Sequence, residues 1–93
     1  MAITTRLVLD ILKPHQPNAL DFARRILQRD DIHRVRLDLA EMDEKTETVL
    51  LHLEGADIDY DALVETITRM GGVVHSIDEV EVSEQAASRS RTD

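Results

Sequence analysis

Apolar residues recur at helical spacing in two segments of this 93-residue chain, four further segments read as strands, and the order of the six limits the fold. Thr5 to Lys13 is short, mostly apolar and stopped by Pro14, which reads as a strand. Ala19, Phe22, Ala23, Ile26 and Leu27 then fall at i, i+3, i+4, i+7 and i+8, one face of a helix. Pro17 lies near its first turn, where a missing N–H costs nothing, and Asp30-Asp31 closes it. Val35, Leu37 and Leu39 alternate with Arg34, Arg36 and Asp38, the pattern of a half-buried strand. Asp43-Glu44-Lys45 is a charged hairpin loop, and Val49, Leu51 and Leu53 alternate again up to Gly55. Asp59 suits the N-cap of a second helix with the stripe Tyr60, Leu63, Val64, Ile67 and Met70. Gly71-Gly72 supplies its left-handed stop, and a last strand runs from about Val73 to Val82.

This order predicts two interlocked right-handed β-α-β units. The expected fold is an α+β, ferredoxin-like β-α-β-β-α-β two-layer sandwich, with an antiparallel sheet ordered 4-1-3-2 and both helices on one face. The length suits one domain. We read residues 1–83 as that domain and 84–93, rich in Ser and Arg, as a polar, flexible tail.

Charge and composition remove several functions. The formal net charge is -8, and Phe22 and Tyr60 are the only aromatics. Proteins that stack nucleic-acid bases need aromatic platforms, and an acidic chain is repelled by phosphates. Nucleic acid and membrane surfaces are therefore not expected as partners. The absence of cysteine removes disulfides, thiolate catalysis and thiolate metal sites. Met1 to Arg6 lacks the pattern of a secretory signal, and no apolar run approaches a membrane span, so a cytoplasmic location is expected.

The expected architecture leaves one sheet face bare. In the first strand Leu7, Leu9 and Ile11 point toward the helices, while Val8, Asp10 and Leu12 point the other way. Leu50 and His52 of the third strand join that bare face. A central apolar patch of this kind implies a cover, and a second copy is the simplest one, so a homo-oligomer is expected. Scattered surface aliphatics are the plainer alternative.

Asp10 interrupts an apolar central strand, where an unpaired carboxylate is costly, so it needs a donor or a cation. His52 shares its face, and His75 joins it if Val74 points inward. Asp10, His52 and His75 have the composition of a two-His-one-carboxylate metal site; an Asp–His hydrogen bond in an interface is the plainer reading. Val74, Ile77 and Val80 cannot all share a face in a regular strand, so a bulge or kink is expected there. Bulges re-aim polar side chains, which singles out His75, Asp78 and Glu79. His75, Ser76 and Asp78 are too close in sequence for triad geometry, and no G-x-S-x-G turn is present, so no catalytic residue is assigned. Asp57 to Asp61 begins like a calcium loop, but Ala62 and Thr68 stand where glycine and a bidentate glutamate are required. His15 follows Lys13-Pro14 at the mouth of the first helix. The Lys13–His15 and Gly71–His75 segments should meet at one corner lined by His15 and His75, with Asp10 and Asp78 further along the two strands as a separate polar patch; His15, His75, Asp78 and Glu79 are the candidate ligand residues. Imidazole titrates near pH 6.5, so binding there would depend on pH.

Val8-Leu9-Asp10-Ile11-Leu12-Lys13-Pro14-His15 and Gly71-Gly72-Val73-Val74-His75-Ser76-Ile77-Asp78-Glu79-Val80 together resemble a small, mostly archaeal family, Domain of Unknown Function 211. The resemblance spans about residues 5–82. It implies a ferredoxin-like fold, ring-like or larger homo-oligomers and no established activity. Asp10, Pro14, His15, His75, Asp78 and Glu79 match the family's recurring polar positions, and the Ser/Arg-rich tail departs from it. The function expected is a non-catalytic, oligomeric module that binds a small molecule or regulates. The alternative is an oligomeric protein holding a divalent cation on Asp, Glu and His; an enzyme with a site completed between subunits comes third.

Overall fold

The computed structural model describes residues 1–85. Its elements are β1 (Ala2–Pro14), α1 (Ala19–Leu27), β2 (Ile32–Met42), β3 (Thr46–Gly55), α2 (Tyr60–Arg69) and β4 (Val73–Glu84). The strands form one antiparallel sheet in the order β2-β3-β1-β4, the expected 4-1-3-2 read from the other edge. Both helices begin at side-chain caps. Asn18 accepts from the Asp21 N–H at 2.9 Å and Asp59 from the Ala62 N–H at 3.1 Å, each satisfying a donor that has no partner inside the helix. After α2 the chain reverses through Gly71 at φ +85°, a conformation open to glycine, and the Gly72 N–H donates back to the Ile67 carbonyl at 3.0 Å.

The core lies between helices and sheet. Phe22 and Ile26 from α1 and Leu63 and Ile67 from α2 are fully buried against Leu9, Ile11, Val49, Leu51 and Leu53. Full burial of such a side chain contributes about 1.5–3 kcal/mol. Among the described residues no helix is long and apolar enough to cross a membrane.

The strands outrun the apolar segments that announce them. β1 starts at Ala2, because Ala2, Ile3 and Thr4 pair with Glu84, Ser83 and Val82 of β4. β3 has already ended at this level, its pairing with β1 beginning at Arg6 and Glu54. The β1 start and β4 end therefore form a two-stranded ribbon beyond the body of the sheet. β4 reaches Glu84, one residue past the expected domain boundary; residues 86–93 of the expected tail lie outside the described residues.

The expected irregularity in β4 is a pair of bulges. Val8 faces Glu79 but Leu9 faces Ile77, which leaves Asp78 as an extra residue. Asp10 faces Ser76 but Ile11 faces Val74, which leaves His75 as another. Each insertion resets the alternation, so Val74, Ile77 and Val80 all oppose helix-facing residues of β1.

Candidate functional site

The bare face of the sheet dips where Leu12 pairs with Thr48 on one side and Val73 on the other. The concavity there has a volume of about 470 Å³ and is lined by Asp10, Leu12, Thr48, Val73 and His75. Strand alternation delivers Asp10 and Leu12 from β1. The β4 bulge delivers His75: Val74 packs against the core, and the extra residue after it reaches the same side as Asp10. Among the described residues neither Asp10 nor His75 has a side-chain hydrogen-bond partner. A half-exposed carboxylate and an imidazole thus stand in a hollow whose other walls are Leu12, Val73 and Thr48.

The remaining sequence-derived residues are placed elsewhere. His52 Nε2 lies 3.0 Å from Asp38 Oδ2 on β2, while Asp10 pairs in register with Leu50. Asp10, His52 and His75 do not converge, and among the described residues no three His, Asp or Glu side chains are placed to hold a metal ion. Asp78 accepts from Ser76 Oγ at 2.6 Å. Glu79 pairs with Arg6 Nη2 at 3.1 Å. Neither lines the concavity.

His15 is half of the expected corner. The two chain segments do meet, since a Cβ on Gly71 would lie 3.1 Å from Pro14 Cγ. The His15 ring, however, turns to the β2–β3 hairpin. Its Nδ1 is 3.0 Å from Glu47 Oε2 and its Nε2 is 3.0 Å from the Glu44 carbonyl oxygen. Both ring nitrogens face acceptors, an arrangement satisfied in full when both carry a proton. Lys13 Nζ donates to Glu47 Oε1 at 3.0 Å and to the Pro14 carbonyl at 2.8 Å, and sits 5.6 Å from the Phe22 ring centroid. The Lys13 side chain is 0 % exposed and that of Glu47 10 %. Sequence reasoning gave these two residues no role. The signal was their parity: Lys13 alternates with Leu7, Leu9 and Ile11, and Glu47 with Val49, Leu51 and Leu53, so both point to the helix side.

The hydrogen bond to Glu47, then that to the Glu44 carbonyl, raises the His15 pKa above 6.5. The same bond from His15, then that from Lys13, lowers the Glu47 pKa below 4.5. His15 therefore adds stability that is fully present below pH 6.5 and is lost as pH rises through its raised folded value. Glu47 adds stability present above pH 4.5 and lost as pH falls through its lowered folded value. Both contributions coincide between these limits. Urea midpoints should fall from pH 6 to pH 8.5 in the parent protein, and His15→Ala should flatten that fall. An identical fall in the variant would show that His15 is not the group responsible.

The model of the family DUF211, described as uncharacterized ArCR, matches residues 5–93. The chain belongs to this family. The match of the DUF211 model continues through the Ser/Arg-rich end, beyond the residues 5–82 expected from the two motifs. The DUF211 chain is also 40% identical over 87 residues to the uncharacterized protein MJ0319 of Methanocaldococcus jannaschii, across 94% of this chain and 90% of that relative.

Proposed function

We propose that this DUF211 protein is a self-assembling, non-catalytic module that binds a small ligand in the Asp10–His75 concavity. One observation carries the reading: the bare sheet face has a hollow of about 470 Å³ in which Asp10 and His75 lack hydrogen-bond partners among the described residues. Binding sites of this kind combine apolar walls with a few convergent polar groups. The Asp10 carboxylate calls for a donor, Leu12 and Val73 call for an apolar body, and His75 adds a second polar contact. A primary amine or guanidine with a short aliphatic or aromatic body meets all three. A second copy laid against the bare face is expected to deepen the hollow.

The reading is tested by thermal shift with a panel of such amines and guanidines, beside a series of divalent cations. A ligand at 100 times its Kd stabilises the folded form by about 2.7 kcal/mol. That shift should appear in the parent and vanish in Asp10→Ala. No shift across the panel, or an equal shift in the variant, rejects the organic-ligand reading. A shift with divalent cations alone, lost in both Asp10→Ala and His75→Ala, establishes the metal-binding alternative, in which a second copy completes the ligand set.

A further inference from the structure

The bare face carries a second hollow, of about 300 Å³, lined by Thr5, Arg6, His33, Glu54, Gly55 and Glu81. All four strands contribute to it, because two bulges fall at its level. Thr4 faces Val82 but Arg6 faces Glu81, which leaves Thr5 as an extra residue of β1. Ile32 faces Gly55 but Arg34 faces Glu54, which leaves His33 as an extra residue of β2. Each insertion re-aims a side chain, so Thr5 and His33 join Glu54, Arg6 and Glu81, which lie in one row across β3, β1 and β4.

The charges of this face are matched in its middle and unmatched at its ends. In the middle, Arg36 Nε lies 3.3 Å from Asp38 Oδ1, His52 Nε2 lies 3.0 Å from Asp38 Oδ2, and Arg6 Nη2 lies 3.1 Å from Glu79 Oε1. Glu79 thus takes the guanidinium that reaches into the second hollow. The Glu54 and Glu81 carboxylates there have no hydrogen-bond or ion-pair partner among the described residues. Arg34, beside Glu54 in register, does not line the hollow. Asp10 stands in the same condition in the first hollow. Asp10 and Glu54 are both half-buried, where a carboxylate without a donor is costly.

Asp10 is four residues beyond Arg6 on β1, and Glu54 and Glu81 flank Arg6, so at the rise of an extended strand the two acidic ends lie about 14 Å apart. We propose that the ligand of this face is a linear dication, an aliphatic diamine or polyamine, with one terminal ammonium at Asp10 and the other between Glu54 and Glu81. This rests on the reading that the Asp10–His75 concavity binds amines, and it fixes the length and charge of what binds. An ammonium carries three donors and no acceptor, so one head can serve both glutamates at once. A single metal ion cannot reach both ends, and among the described residues no three His, Asp or Glu side chains are placed to hold one. The matched row between the hollows leaves no free charge there, which suits a methylene linker. The net charge of -8 raises the local concentration of any cation.

Calorimetric titration of the parent protein at pH 8 and constant ionic strength tests the proposal; imidazole is neutral there. The probes are octylamine, diaminobutane, diaminooctane, spermidine and aminooctanoic acid. Diaminooctane and spermidine are long enough to reach both hollows. They should bind one to one and roughly 10²-fold tighter than octylamine, the lower end of what joining two sites gives. Diaminobutane is too short, and aminooctanoic acid brings a carboxylate to the acidic end, so neither should show the gain. The ratio of diaminooctane to octylamine affinity should fall to about one in Glu54→Gln/Glu81→Gln, with circular dichroism confirming the fold. Diaminooctane bound no tighter than octylamine, an equal gain with aminooctanoic acid, or a gain that survives Glu54→Gln/Glu81→Gln overturns the dication and leaves the single-headed reading standing. No binding of any amine rejects that reading, and the dication with it.

Discussion

Glu47→Ala is expected to destabilise the protein by about 3–5 kcal/mol, the usual cost of leaving one member of a buried ion pair unpaired. The Lys13 side chain is 0 % exposed, and its ammonium has Glu47 Oε1 and the Pro14 carbonyl as hydrogen-bond partners. Without the carboxylate it keeps one carbonyl and the Phe22 face, which do not balance a full charge taken from water. The variant also frees His15, whose remaining acceptor is the Glu44 carbonyl. The end of β1, the mouth of α1 and the β2–β3 hairpin thus lose their common tie in one substitution. The combination Lys13→Met with Glu47→Leu should recover most of the loss, since apolar groups of similar volume replace a buried pair at little cost. Urea unfolding at pH 6 and fixed protein concentration measures both. A loss under about 1 kcal/mol for Glu47→Ala would mean that Lys13 reaches solvent by bending its stem outward, as long basic side chains do at surfaces.

That cluster marks where sequence reading stopped. Element order, the cap of α2 and the β4 irregularity were legible because each rests on local chemistry. Asp59 is a capping residue by type, and the clash of parity among Val74, Ile77 and Val80 demands inserted residues wherever the strand pairs. Strand ends were less legible. Ala2, Ile3 and Thr4 pair only with β4, so no apolar alternation on both sides of the sheet announces them. Asp10 and His75 were legible as companions because one condition, Val74 facing inward, decided them, and Val74 packs on the core. His52 was misplaced in the expected set because β2 lies on its other side, and Asp38 there takes its Nε2. A face can be read from alternation; which of two neighbouring strands a polar side chain leans toward cannot. Lys13 and Glu47 were passed over for a different reason. A charged residue at a strand end is ordinarily taken as solvated, yet their parity placed both toward the helices.

Gly55→Ala should cost about 3 kcal/mol, at the upper end of what overpacking commonly does, and lower the melting temperature by about 10–20 °C. Gly55 is the last residue of β3 and pairs with Ile32, the first of β2. A Cβ there would overlap the Asp31 carbonyl oxygen and stand 3.0 Å from the Asp31 carbonyl carbon and 2.9 Å from Ile58 Cγ1. The obstacle is backbone, so no rotamer relieves it. Nor is Asp31 free to retreat. Its carbonyl accepts the Ala56 N–H at 3.2 Å, and its carboxylate takes Arg29 Nε at 3.0 Å, Arg29 Nη2 at 2.9 Å and the Asp59 N–H at 2.8 Å. Burial pushes the Asp31 pKa up, but the Arg29 guanidinium and the Asp59 N–H outweigh it and hold the carboxyl below 3.8. Arg29 in turn donates to Thr66 Oγ1 at 3.1 Å, tying the same turn to α2. Any displacement of Asp31 must therefore shift the start of β2, the cap of α2 or both. Thermal melts check the loss. A loss under about 1 kcal/mol would show that the turn at residues 29–31 yields without carrying β2 along.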